Sequence, residues 1–66
     1  MYLKEIRKDS GVSQSDMAKK LGISQGAIAM WETGKRVPKT TDLPKIAEAL
    51  QVPVETVLEC FIKKAE

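Results

Sequence analysis

QSDMAKKLGISQGAIAMWETG, residues Gln14 to Gly34, is the stretch from which the fold can be read. Apolar or small residues fall within it at Met17, Ala18, Leu21, Ile23, Ile28 and Trp31, with Gly22 between the two halves. Ser13 stands just before it and Asp16 follows three residues on, a close relative of the capping box: the hydroxyl accepts from a first-turn amide and the carboxylate is favoured by the helix dipole. This predicts a helix over Gln14 to Leu21, ended by Gly22. Ser24 then caps a second helix from Gln25 to about Thr33, closed by Gly34. Two helices that cross steeply after a short turn need a small residue at the contact, here Ala18, and a residue tolerant of positive φ at the turn, here Gly22. They also need apolar residues on both helices aimed into one core, here Met17, Leu21, Ile28 and Trp31. An arbitrary αα-hairpin would meet few of these demands together; this segment meets all of them.

Outward from this pair the chain continues as short helices. Tyr2 to about Asp9 carries Leu3 and Ile6 three apart and stops at Ser10-Gly11. Lys35 to Thr40 is polar, contains Pro38 and reads as a loop. Thr41 is the expected cap of a fourth helix, which places Pro44 at its third position, where a missing amide hydrogen costs nothing. Leu43, Ile46, Ala47 and Leu50 form its apolar face. After Val52-Pro53, the residues Val54, Val57, Leu58, Phe61 and Ile62 recur at helical spacing on a fifth helix. Val54, Val57 and Leu58 are expected to close the core, leaving Phe61 and Ile62 exposed as a dimer interface, the alternative being that Phe61 folds back on its own core. Nothing alternates like a strand, so the expected fold is all-α, five helices in one domain spanning 1–66.

Composition narrows function. At 66 residues and 42% apolar, the chain holds one small core. Cys60 is the one cysteine and there is no histidine, which removes internal disulfides, the familiar zinc frameworks and the Ser-His and Cys-His nucleophile pairs. Catalysis and a resident metal or cofactor are therefore not expected. The lone thiol, with no apolar run long enough for a signal or a membrane span, points to a cytoplasmic setting. The formal charge is +2, yet Lys19, Lys20, Lys35, Arg36 and Lys39 cluster mid-chain against Glu32 alone. The remainder of the chain is net acidic, so the middle is a basic patch.

With these residues in place, the segment resembles the helix-turn-helix of the lambdoid phage repressor and Cro family, also called XRE-like. The likeness spans nearly the whole chain: Ile6-Arg7, Gly11-Val12-Ser13-Gln14, Trp31-Glu32-Thr33-Gly34-Lys35, Leu43-Pro44, Ile46-Ala47, Ala49-Leu50 and Val52. Lys39 to Thr41 and Pro53 depart from it, standing where many members carry serine caps. The resemblance implies a five-helix DNA-binding domain whose third helix enters the major groove by its N-terminal residues.

On that implication Gln25, Gly26, Ala29 and Met30 face the bases. Gln25 is the leading reader, because its amide both donates and accepts, as adenine N7 and N6 require, while Ala29 and Met30 suit thymine methyls. Outside such a motif a glutamine here would simply be solvated. Gln14 matches a family glutamine that holds a phosphate and braces the first reader. Ser24, Lys35, Arg36 and Lys39 join Gln14 as backbone contacts, which set affinity and register without reading sequence. Arg7 and Glu32 match a buried ion pair whose role is structural.

The expected function is a sequence-specific DNA-binding transcriptional regulator, a repressor acting as a homodimer on double-stranded DNA, with no membrane partner and no small-molecule ligand. An antitoxin or a restriction-modification controller protein would share these features. A protein-interaction module without DNA binding should instead show acidic or apolar residues in place of Gln14, Gln25 and the Lys35-Arg36 loop.

Overall fold

The polar turn residues divide the chain as their chemistry requires. The computed structural model describes residues 2–62, and within them the order is α1 (Leu3–Asp9), α2 (Gln14–Leu21), α3 (Gln25–Thr33), a 3-10 turn (Thr40–Asp42), α4 (Leu43–Leu50) and α5 (Val54–Phe61). No strand occurs among the described residues. The Ser13 hydroxyl accepts from the Asp16 amide at 3.0 Å and Ser24 from that of Ala27 at 3.2 Å, so both central helices start on the capping serines the sequence offers.

The first four α-helices close alike at their C-termini, each with an amide that reaches back five residues. The second residue past α2 donates back to the Ala18 carbonyl at 3.0 Å, with Gly22 in the left-handed region at φ 70°. At the end of α4 the same closure, Val52 N–H to the Ala47 carbonyl at 3.0 Å, forces Gln51 to φ 57°, the one non-glycine residue with positive φ among those described. A side chain there meets the steric cost of the left-handed conformation. Gln51→Gly should therefore raise stability by about 0.5 to 1 kcal/mol, once glycine's greater unfolded-state freedom is discounted. Urea unfolding measures this, and a lower midpoint would mean the Gln51 side chain contributes more than its backbone strain removes.

α2 packs against both α3 and α4, α4 against α5, and α1 against α3. The core they enclose is Leu3, Ile6, Met17, Ala18, Ile28, Ile46, Ala47, Leu50 and Val57, with Ala18 the small residue of α2. Each of Met17, Ile28, Ile46 and Val57 is completely buried, so truncation of any one to alanine removes packing worth about 2 to 5 kcal/mol for the larger side chains. The Ser10 hydroxyl donates to the Leu50 carbonyl at 3.0 Å, tying the end of α1 to the end of α4. Cys60, half-buried beside the core, donates to the Thr56 carbonyl at 3.5 Å. Burial, with help from the Glu59 and Glu5 carboxylates, pushes its thiol pKa up and keeps it protonated.

Three expectations are corrected. Thr41 does not cap α4. The Asp42 carboxylate reaches back to accept the Lys39 amide at 3.1 Å and winds Thr40–Asp42 into a 3-10 turn, so α4 begins at Leu43 with Pro44 at its second position. Trp31 is only half-buried, packed on the outside of the core rather than inside it. In α5, Val57 alone is buried, while Val54 (40%) and Leu58 (41%) are exposed. Of the two placements expected for Phe61 the structure takes the second: it lies half-buried against the core with Cys60 rather than exposed. The helix turns its 57-60-61 stripe inward, since residues three and four apart share a face, and leaves the 54-58-62 stripe outside.

Candidate nucleic-acid interface

α3 divides its residues between two sides. Ile28 is fully buried and Trp31 leans on the core, so the opposite side carries Gly26, Met30 and Thr33, all exposed. Gln25 is exposed at the helix start and Ala29 is half-buried one turn later. The row Gln25, Ala29, Glu32 thus descends from solvent to interior along one edge of the helix. Gly26 has helical backbone and room for a methyl group, its nearest neighbour being the Ser24 hydroxyl at 3.8 Å. Nothing inside the protein demands glycine there; its effect is to keep the exposed surface of the first turn low.

Beneath this tip lies the ion pair. Arg7 Nε donates to Glu32 Oε2 at 2.6 Å and Nη2 to Oε1 at 3.4 Å, with side chains only 9% and 4% exposed. Arg7 Nη1 also donates to the Val12 carbonyl at 2.9 Å, fixing the turn that leads into α2. Gln14 Nε2 donates to Glu32 Oε1 at 2.9 Å, and Gln25 Nε2 donates to Gln14 Oε1 at 3.2 Å. A single chain of hydrogen bonds therefore runs from the Arg7 guanidinium to the exposed amide of Gln25. Among the described residues no buried side-chain polar atom lacks a partner.

The structure brings Gln14 and Gln25 together through the bond from Gln25 Nε2 to Gln14 Oε1. The Gln14 oxygen and one of its amide hydrogens are thus committed within the protein, leaving one N–H without a partner there. Ser24 is exposed, but its oxygen is occupied by the cap. Lys35, Arg36 and Lys39 are exposed on the loop after α3, and the amides of Lys35 and Arg36 both reach the Met30 carbonyl, at 3.0 and 3.3 Å. That shared acceptor pins the start of the basic loop to the end of the helix.

The link from Gln14 to Glu32 was missed by sequence reasoning, as was exposed Thr33 on the outward side of α3. Eighteen residues separate Gln14 from Glu32 and no periodicity relates them. A depression lined by Lys20, Leu21, Lys45, Glu48, Ala49 and Gln51 shares no residue with this face, whereas another takes in Thr33 with Trp31, Glu32 and Gly34.

A family model described as helix-turn-helix matches residues 3–57. An uncharacterized HTH-type transcriptional regulator of Archaeoglobus fulgidus is 46% identical over 48 residues, 73% of this chain and 21% of that protein. The HTH-type transcriptional repressor RghR of Bacillus subtilis is 35% identical over 57 residues, 85% of this chain and 42% of RghR. The uncharacterized HTH-type transcriptional regulator YqaE of the same organism is 37% identical over 57 residues, covering 86% of this chain and 49% of YqaE. The chain thus spans less than half the length of each of these relatives.

Proposed function

Since the chain belongs to the XRE-like helix-turn-helix family, we propose that its residues 1–66 act as one DNA-binding domain of a transcriptional regulator, a cytoplasmic repressor that binds a two-fold symmetric operator as a homodimer. The observation that carries this reading is the Gln25 amide, exposed at the start of α3 and held there by Gln14. In the major groove such an amide matches adenine N7 and N6, while Gly26, Ala29 and Met30 lie along neighbouring bases. Gln14, Ser24, Lys35, Arg36 and Lys39 hold phosphates on either side. The repressor name of RghR supports the sign of regulation.

The homodimer rests on α5. Val54, Leu58 and Ile62 are 40, 41 and 55% exposed and recur every four residues, an apolar stripe that a second copy would cover. In this reading exposed Ile62 belongs to the interface, while Phe61, half-buried against the core, offers it less surface. Two recognition helices related by a two-fold axis then reach successive major grooves, with half-site centres about 34 Å apart.

Selection of bound sites from random duplexes tests the reading. The expected product is an inverted repeat with half-sites one helical turn apart, and a pool without enrichment overturns DNA recognition. A reporter driven from a promoter overlapping the recovered site should fall when the protein is expressed; a rise would make it an activator. Lys35→Ala and Arg36→Ala should each weaken operator and random duplex alike, and each lower the slope of log affinity against log salt by about 0.9, the value of one phosphate contact. An unchanged slope would place the backbone grip elsewhere.

A further inference from the structure

The amides at the tip of α3 are not free to face either way, and the cause lies in the core. Resting on the reading of Gln25 above, we infer that Glu32 is a positioning residue that makes the protein prefer adenine over guanine at the base pair Gln25 contacts, by fixing which atom of each amide points outward. A carboxylate paired with a guanidinium has lone pairs and no proton to give. Glu32 Oε1 therefore takes the nitrogen of Gln14, at 2.9 Å, and turns the Gln14 oxygen toward α3. That oxygen in turn takes the nitrogen of Gln25, at 3.2 Å. The reverse order would set the Gln14 oxygen against the carboxylate with no hydrogen between them. With its side chain 4% exposed, Glu32 has little water to relieve such a contact.

What Gln25 then offers to DNA is defined: one remaining N–H and a free carbonyl oxygen. Adenine presents N7, an acceptor, and the N6 amino group, a donor, and takes both. Guanine presents two acceptors, N7 and O6, so the Gln25 oxygen meets lone pairs there. Were the amide chain reversed, Gln25 would turn its oxygen inward and present two N–H groups, the pattern guanine accepts. The base preference is thus set three hydrogen bonds away from the base, by a group that never touches DNA.

Gln14→Lys tests this without disturbing the Arg7 and Glu32 pair. The ammonium satisfies Glu32 Oε1 but can only donate toward Gln25, which must then turn its oxygen inward. Competition binding at fixed salt, on selected operator duplexes carrying adenine or guanine at each half-site position, reads the ratio of affinities. The wild-type protein should favour adenine at one position by about tenfold or more, and Gln14→Lys should reverse the order there. In Arg7→Met/Glu32→Gln the neutral amide can face Gln14 by either atom, so the ratio should shrink to about threefold or less, on the scale of lost bidentate discrimination. Should that double variant not fold, Gln14→Lys decides alone. Gln25→Ala separates the two readings. If it leaves the wild-type ratio intact, Gln25 is not the reader and the inference falls with that assignment. If it flattens the ratio while Gln14→Lys keeps adenine preferred, the reader stands and the role of Glu32 is overturned.

Discussion

Arg7→Met should cost about 3 to 5 kcal/mol of folding stability, the usual result of stranding one partner of a buried ion pair. Glu32 would keep a single donor, Gln14 Nε2 at 2.9 Å, and lose both guanidinium contacts while remaining buried. The Val12 carbonyl, which accepts from Arg7 at 2.9 Å, would also lose its partner. A domain of this size has roughly 3 to 10 kcal/mol of stability in total, so the variant should be largely unfolded near 37 °C. Arg7→Met/Glu32→Gln removes the charge together with its partner and should recover much of the loss, because an uncharged amide is far cheaper to bury. Urea unfolding of the two variants is the check. A loss below about 1 kcal/mol for Arg7→Met would mean the pair is screened like a surface bridge.

The second large effect concerns assembly. Leu58→Lys places a charge in the middle of the exposed α5 stripe, where Leu58 is already 41% exposed, so the fold should survive. A monomer engages one half-site, and losing the linked second contact should reduce operator affinity by about 10²- to 10⁴-fold, although every DNA-facing residue is intact. Phe61→Lys should behave differently, since Phe61 packs against the core and its loss should lower stability first. Sedimentation and operator titration decide: a wild-type protein that stays monomeric on DNA, or a Leu58→Lys variant with unchanged affinity, removes the α5 dimer.

The contrast between Leu58 and Phe61 shows where the sequence is legible. α2 and α3 are bounded by signals a few residues apart, Ser13 with Asp16 and Ser24 with Ala27 at their starts and Gly22 and Gly34 at their ends, and those contacts form as their chemistry dictates. α5 has two adjacent apolar stripes, 54-58-62 and 57-61, and apolarity alone does not say which turns inward. Cys60 was the clue, extending the second stripe to 57-60-61, the face that packs on the core. At α4 no side chain caps the helix start; the Asp42 carboxylate instead reaches back to the Lys39 amide ahead of the 3-10 turn, a contact that the cap pattern read from Thr41 does not include. The pairing of Arg7 with Glu32 came from the family resemblance. The further link through Gln14 depends on how α1, α2 and α3 meet, which no local pattern encodes.

The central claim is that the tip of α3 reads DNA through Gln25, and one titration bears on it most directly. Wild type and Gln25→Ala are compared on the selected operator and on random duplex at the same salt. The account predicts that Gln25→Ala loses the equivalent of one bidentate base contact, about 1 to 3 kcal/mol, on the operator and almost nothing on random duplex. Equal losses on both duplexes, or none on either, would contradict it.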